Sequence, residues 1–238
     1  MRAAWTAVAA LAAAWAPTAV LAGAGAPQHV LVPVLMYHTS SEAEPAENAG
    51  LYVRPSDFRE QMAWLRDNGY TFCVFDDFPA LASVSKPVLV TFDDGYPENY
   101  TELFPIIQEL GIKVTIFVFN ETLLPPGMMR VMAASGLVFF ESHGATHTGL
   151  PSLGKGDLKE ELARSAAWIQ EVTGRPPVAL AYPYGLHSAA VRRAARLHFD
   201  YGVAIGGQTH NTARSPFAVQ RHAVPRELGM EAFVGLFG

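Results

Sequence analysis

Cysteine is nearly absent from this sequence, since Cys73 is the only one among 238 residues. A lone cysteine excludes an intrachain disulfide framework and a metal site made of several thiolates, so Cys73 is expected to pack as a small buried side chain. Charged residues are also scarce, at 16%, and give a formal net charge of −5. This mild acidity argues against nucleic acid or an anionic membrane surface as a partner.

The one long apolar run lies at the N-terminus. Arg2 precedes an alanine-rich stretch, which Pro17 interrupts and which ends in small residues at 22–26. A positive end, an apolar core and A-x-A cleavage positions predict a secretory signal peptide over residues 1–26, with a retained membrane anchor as the alternative. Its removal would leave residues 27–238 as a single domain, exported to the periplasm or beyond the cell, with 16 basic and 22 acidic residues.

Half of the residues are hydrophobic, which is enough to bury a sizeable core. Short runs rich in valine, isoleucine and phenylalanine recur along the chain, as expected for parallel strands that are covered on both faces. The predicted strands are VPVLMYH, YTFCVF, PVLVTF, KVTIFVF, LVFFES, VALAYP, YGVAI and FAVQR. Helical segments separate many of them, and this alternation predicts βαβ units in an α/β barrel or a doubly wound sheet.

Each predicted helix has apolar residues at helical spacing. Three of these segments end at a glycine, and the fourth follows a serine that can cap it. They contain Phe58, Met62 and Leu65 before Gly69; Leu103, Ile106, Ile107 and Leu110 before Gly111; Leu158, Leu162, Ile169 and Val172 before Gly174; and Val191, Ala194 and Ala195 after Ser188. Asp157 and Glu160 are expected to form a capping box for the third helix, and Ser188 to cap the fourth.

Polar residues follow the predicted strands at the point where each strand ends. These residues are His38, Asp93 and Asp94, Asn120, Ser142 and His143, and the segment 182–185. Parallel α/β folds bind ligands at the carboxyl ends of their strands, so three ends with histidine or aspartate indicate a site. A second acidic pair, Asp76 and Asp77, is instead expected to cap the following turn.

The sharpest motif is HGATH, in which His143 and His147 are four residues apart. On one helical turn or in a tight loop, this spacing places the two imidazoles on the same side. Two imidazoles and one carboxylate make a three-ligand metal site that keeps open positions for water. One aspartate of the pair 93–94 would complete the site, and the other would stay free as a general base. The ligand set favours zinc, and it also accepts cobalt, nickel or iron.

The motifs as a group resemble the polysaccharide deacetylases with NodB homology, over about residues 30–225. TFDDG (91–95), HGATH (143–147) and AYPYG (181–185) match the three motifs of that family, and VLMYH (34–38) resembles its exported poly-N-acetylglucosamine deacetylase branch. The resemblance implies a distorted (β/α) barrel and a metal-dependent hydrolase, which we expect to be a monomer. It would remove N-acetyl groups from an N-acetylated polysaccharide or oligosaccharide, with chitin-type and peptidoglycan glycans as alternative substrates.

The resemblance also implies roles for particular residues. Asp93 would be the base; Asp94, His143 and His147 the metal ligands; the Tyr184 backbone amide an oxyanion donor; and His38 the general acid. Apart from the resemblance, Tyr182, Pro183, Leu150 and Arg221 are candidate substrate contacts, with burial in the core as the alternative for the tyrosine and the leucine. After signal cleavage no membrane insertion is expected.

The sequence departs from the family pattern at three places. Gly144 stands where serine or threonine is usual, Ala181 replaces the arginine of the third motif, and the late Leu-x-Leu-His element is absent from the segment 217–228. Arg221 is the candidate for the missing positive charge. His222 follows it and would point to the opposite face of a regular strand, so His38 is the preferred acid.

Two other functions fit parts of this pattern. The first is an exported, catalytically impaired polysaccharide-binding protein on the same scaffold, which the intact aspartates and histidines disfavour. The second is an iron oxygenase with two histidines and one carboxylate, which the α/β alternation disfavours. His210 is a further candidate for the lining of the cleft.

Overall fold

The computed structural model describes residues 29–43, 47–206, 210–212 and 215–238. The predicted signal peptide and the side chain of His210 lie outside what is described. Within these ranges, every helix is too short or too polar to cross a membrane.

Strands and helices alternate through most of the described chain. The strands are β1 (His29–Leu31), β2 (Val34–Tyr37), β3 (Thr39–Ser40), β4 (Tyr52–Val53), β5 (Thr71–Cys73), β6 (Pro87–Phe92), β7 (Val114–Val118), β8 (Val138–Ser142), β9 (Ala179–Ala181), β10 (Tyr201–Val203), β11 (His210–Thr212) and β12 (His222–Ala223). The α-helices are α1 (Pro55–Asp67), α2 (Phe104–Leu110), α3 (Pro126–Ala134), α4 (Lys155–Thr173), α5 (Ala189–Ala195) and α6 (Met230–Gly235).

The central sheet is parallel and has the order β10-β9-β8-β7-β6-β2-β12, with β5 also paired to β6. The segment 219–224 joins its two ends. On one side the Ala204 amide donates to the Val219 carbonyl at 2.7 Å, and on the other the Val224 amide donates to the Met36 carbonyl at 3.0 Å. These bonds close a distorted barrel, which confirms the predicted fold class.

The central strands β2, β6, β7 and β9 are buried on both faces, as their nearly continuous apolar sequences predict. Side chains on the outer face of β6, such as Val90 and Phe92, pack against Phe58, Met62 and Leu65 of α1. Side chains on the inner face form a second cluster, which includes Leu89, Phe117, Ala181, Val203 and Val219. Cys73 is buried in this inner cluster, as predicted.

The helix boundaries confirm some predictions and correct others. The Ser188 hydroxyl accepts the Val191 amide at 3.2 Å and caps α5. The capping box of Asp157 and Glu160 is wrong, because α4 already begins at Lys155 after Gly154. The predicted strand FAVQR is reduced to a single bridge at Val219, and the paired residues lie just after it in β12.

The second acidic pair is structural. The Asp77 carboxylate accepts the Val74 amide at 3.0 Å at the start of the 3-10 helix Phe75–Ser83, which confirms its capping role. Asp76 forms an ion pair with Arg175.

Arg175 also binds Glu141, a fully buried carboxylate of β8. One Glu141 oxygen accepts from Arg175 Nη1 at 3.0 Å, and the other accepts the backbone amides of Val178 at 2.6 Å and Ala179 at 2.7 Å. Burial raises the pKa of Glu141 to about 7, although Arg175 and the two amides oppose this shift. The side chain therefore ties β8 to the start of β9.

Replacement of Glu141 by alanine is expected to lower the free energy of unfolding by about 3 kcal/mol or more, because Arg175 and two backbone amides lose their acceptor. Chemical denaturation at pH 8, where the carboxylate is ionised, measures this loss. The control is Glu160→Ala at an exposed position of α4, with an expected change under about 0.5 kcal/mol. Equal losses in the two variants would contradict the role assigned to Glu141.

Candidate metal centre

Three strands of the barrel deliver polar residues to the same rim. Tyr37 at the end of β2 pairs with Phe92 at the end of β6, and Val118 of β7 pairs with Ser142 at the end of β8. The ladder continues one residue further, because the Asp93 amide donates to the Tyr37 carbonyl at 3.0 Å and the His143 amide to the Val118 carbonyl at 2.8 Å. His38, the two aspartates and His143 therefore emerge side by side.

Asp94, His143 and His147 converge on one point. Asp94 Oδ1 lies 3.5 Å from His143 Nε2 and 3.1 Å from His147 Nε2, and the three candidate ligand atoms lie within 4.8 Å of one another. Asp94 Oδ1 is buried and has no hydrogen-bond partner among the described residues. A buried carboxylate oxygen without a partner is costly, and a cation would satisfy it. The donor set of one oxygen and two imidazole nitrogens fits a divalent ion such as zinc.

The backbone is strained at this rim. Asp94 has φ 71°, His147 has φ 57° and Tyr184 has φ 59°. These are three of the five non-glycine residues with left-handed backbone in the described part of the chain. Such conformations are disfavoured for residues with a Cβ and concentrate at functional sites.

The tautomer of His143 suits a ligand. Its Nδ1 donates to the Ala181 carbonyl at 2.8 Å, which leaves the Nε2 lone pair directed at Asp94. Burial lowers the pKa of His143, although the two neighbouring aspartates oppose this shift. The neutral imidazole is the form that binds a metal, and a hydrogen bond from its other nitrogen fixes its orientation.

The loop that contains both histidines is held by Glu161 of α4, a buried residue that was not predicted from the sequence. Glu161 Oε1 accepts the amides of Ala145 at 2.9 Å and Thr146 at 2.8 Å, and the Thr146 hydroxyl at 3.0 Å. Gly144 has φ 80°, and a Cβ there would lie 3.0 Å from the same oxygen. The signal in the sequence was the position of Glu161 on the apolar face of α4, next to Leu162.

Asp93 points into the barrel and meets Arg221. Arg221 Nη1 and Nη2 bind the two Asp93 oxygens at 2.6 and 2.7 Å, and Nη1 also donates to Thr91 Oγ1 at 3.1 Å. Burial raises the pKa of Asp93, but Arg221, with smaller contributions from His143 and His38, outweighs it, so this pKa lies well below its usual range. Arg221 is 0% exposed. Its guanidinium binds Asp93, and the predicted contact of Arg221 with substrate stays a prediction.

His38 is partly exposed at the end of β2, and its charged form lowers the pKa of both aspartates. Its carbonyl accepts from Asn99 Nδ2 at 2.9 Å, while Asn99 Oδ1 accepts the Tyr96 amide at 2.9 Å. Asn99 is buried and was not predicted. It joins the strand end of His38 to the turn that follows the aspartates. His222 pairs in register with Leu35, whose side chain belongs to the outer cluster.

The other residues predicted to contact the substrate or the oxyanion differ in how exposed they are. Tyr182, Pro183 and Leu150 are buried, and the Tyr182 hydroxyl donates to the Phe217 carbonyl at 3.0 Å. These three side chains offer little surface to a ligand here, and their contact with substrate stays a prediction. Tyr184 is 63% exposed, and its ring centroid lies 4.7 Å from that of His147.

A cavity of about 180 Å³ opens beside Asp94 and His147, two of the three candidate ligands. Its other lining residues are Gly95, Tyr96, Phe119 and Leu123. The Phe119 ring centroid lies 5.2 Å from that of His147, and Leu123 is 66% exposed. The site thus combines polar ligands with an apolar wall, as small-ligand sites commonly do.

Comparisons with a family model, with related sequences and with solved structures agree with one another. The family model described as polysaccharide deacetylase matches residues 82–202, a span that includes the two aspartates, both loop histidines and Tyr184. The Bacillus subtilis (strain 168) protein YxkH, whose name refers to this family, is 29% identical over 213 residues, which cover 85% of this chain and 74% of YxkH.

A poly-beta-1,6-N-acetyl-D-glucosamine N-deacetylase of Escherichia coli K12 is 43% identical over 72 residues, which are 28% of this chain and 11% of that protein. The crystal structure of a polysaccharide deacetylase from Bacillus cereus superposes with a TM-score of 0.82 at 28% identity, and the match covers 89% of this chain and 70% of that one.

The ion pair between Arg221 and Asp93 yields a stability prediction. Arg221→Met is expected to lower the free energy of unfolding by about 3–5 kcal/mol, because it leaves the Asp93 charge buried and unpaired. Chemical denaturation of Arg221→Met, of Asp93→Asn and of the double variant gives a double-mutant cycle. We expect a coupling energy of about 2 kcal/mol between the two side chains. His222→Ala, the adjacent residue on the other face, is the control and should lose less than about 1 kcal/mol. If the losses of the two single variants added up to the loss of the double variant, the ion pair would not stabilise the fold.

Proposed function

The chain belongs to the polysaccharide deacetylase family, and on this premise we propose that it removes N-acetyl groups from an N-acetylglucosamine polymer outside the cytoplasm. As a member of the family it is an N-deacetylase, a hydrolase of carbon–nitrogen bonds other than peptide bonds. The observation that carries the finer proposal is the convergence of Asp94, His143 and His147 beside a second aspartate that Arg221 holds.

Asp94, His143 and His147 are the residues that would hold one divalent ion, and we favour zinc. A bound ion of this kind lowers the pKa of a water molecule and polarises a carbonyl group. Asp94 Oδ1 and the two Nε2 atoms are the donors in this proposal, with the His143 orientation set by the Ala181 carbonyl.

Asp93 is the proposed base. Its pKa lies well below the usual range, so the carboxylate is ionised at neutral pH and can accept a proton from the attacking water. Arg221 binds both oxygens in parallel and thereby fixes the plane of the carboxylate. Each oxygen keeps a second lone pair for that proton.

Tyr184 and His38 complete the proposed machinery. The Tyr184 amide is assigned to the oxyanion of the tetrahedral intermediate, and a donor of this kind is typically worth about 3–4 kcal/mol in the transition state. His38 is assigned to donate a proton to the departing amine, because it is the partly exposed histidine at this rim that is not one of the proposed metal ligands. Hydrolysis then yields acetate and a glucosamine unit.

The proposed substrate is poly-N-acetylglucosamine, ahead of chitin-type and peptidoglycan glycans. Two observations support this choice: the 43% identity to the Escherichia coli poly-beta-1,6-N-acetyl-D-glucosamine N-deacetylase over 72 residues, and the position of His38 directly after β2. The proposed location outside the cytoplasm rests on the signal-like N-terminus, and we propose that the exported enzyme acts as a monomer.

Acetate release from the three glycans tests the proposal. The metal-loaded protein should release acetate, most of it from poly-N-acetylglucosamine; a chelator should abolish release and added zinc restore it. Asp94→Ala should be inactive under the same conditions because a ligand is lost. If the metal-loaded protein released no acetate from any of the glycans, a polysaccharide-binding function would be the better account.

Replacement of His38 tests the proposed acid separately. His38→Ala should lower kcat by about 10²- to 10⁴-fold, since the leaving amine loses its proton donor, while zinc affinity stays unchanged. His222→Ala removes a histidine from the other side of the barrel wall and should keep full activity. Full activity in His38→Ala would overturn the acid assignment and leave the family membership untouched.

A further inference from the structure

The loop after β7, residues 119–124, lies between the two halves of the metal site. In the sheet β7 stands between β6, which delivers Asp94, and β8, which delivers the histidine loop. The Asn120 amide donates to the Ala145 carbonyl at 3.0 Å, and the Leu124 amide donates to the Gly95 carbonyl at 2.9 Å. The loop therefore contacts both the aspartate turn and the histidine loop.

The aspartate turn needs such support. Asp94 and Gly95 have φ 71° and 68°, so two successive residues are left-handed directly after a strand. This conformation is disfavoured for a residue with a Cβ. Both backbone carbonyls of this turn contact Thr122, whose hydroxyl donates to the Asp94 carbonyl and lies 2.5 Å from the Gly95 carbonyl.

Thr122 is packed so closely that Gly95 has room only for hydrogen. A Cβ at this position would clash with Thr122 Oγ1 and lie 2.7 Å from Val118 Cγ1. The Asp94 side chain is oriented as well, because the Tyr96 hydroxyl donates to Oδ2 at 3.3 Å. With Oδ2 bound by Tyr96 and the backbone bound by Thr122, Oδ1 faces the two imidazoles.

We propose that Thr122 is a positioning residue for the metal site: its hydroxyl holds the left-handed Asp94–Gly95 turn in the geometry that places Asp94 Oδ1 against His143 and His147. The inference rests on the proposed function, since it requires Asp94 to be a metal ligand. Thr122 itself contacts neither the ion nor the substrate in this assignment. Replacement of a residue that orients a metal ligand in this way commonly lowers metal affinity by about 10- to 100-fold.

Zinc affinity, measured by competition with a chelating indicator and without substrate, tests the proposal. Thr122→Val keeps the shape and removes the hydroxyl, and should weaken zinc binding by about 10- to 100-fold. Thr122→Ser keeps the hydroxyl and should stay within about threefold of the wild type. Thr173→Val is the matched control, because the Thr173 hydroxyl also donates to a carbonyl, that of Ile169 at 2.8 Å, near the end of α4.

The thermal midpoint of each metal-free variant separates positioning from general stability. The proposal holds if Thr122→Val loses zinc affinity while its metal-free midpoint shifts no more than that of Thr173→Val. Wild-type zinc affinity in Thr122→Val, or an equal loss in Thr122→Ser, would overturn it. If Thr122→Val does not fold, Thr122→Ala is compared with Thr122→Ser by the same criteria.

Zinc binding by Asp94→Ala shows whether a negative result contradicts the role of Thr122 alone or the proposed metal site itself. If the wild type binds zinc, Asp94→Ala does not, and Thr122→Val binds it normally, only the role of Thr122 is wrong. If the wild type and Asp94→Ala bind zinc equally weakly, the metal site is wrong and the inference falls with it.

Discussion

Parallel pairing of β6, β7 and β8 brings three loops from distant parts of the chain to one rim of the barrel, and the site is built on that alignment. Each strand ends within a residue or two of its neighbour, so the residues that follow share a small volume. The backbone turns left-handed at Asp94 and at His147, which directs both side chains to the same point. Rigid strands fix the spacing, and strained turns fix the direction.

The two adjacent aspartates acquire opposite environments from this arrangement. Asp93 continues the alternation of β6 and points inward to a fully buried guanidinium. Asp94 lies in the turn, where one carboxylate oxygen has a tyrosine partner and the other has none among the described residues. Neighbouring side chains of a strand normally diverge, and here a turn after the first one lets both serve one site.

The sequence was sufficient to predict the barrel, the convergence of Asp94, His143 and His147, and the positions of α1 and α2, because apolar periodicity and motif spacing depend on residue types alone. It could not predict Glu161, Asn99 or Thr122, since their partners are backbone atoms of loops that are remote along the chain. The place of α3 was missed because a Pro-Pro-Gly start resembles a loop, although proline suits the first turn of a helix. Arg221 was recognised as a candidate, and only the fold could show which carboxylate it binds.

The position of Arg221 has a consequence for truncated forms of the chain. Its segment supplies the bonds that join β10 to β2 and close the barrel, and it also supplies the cation that binds Asp93. A polypeptide cut short before residue 221 would therefore lose the closure of the barrel and this countercharge together, while it kept all three sequence motifs.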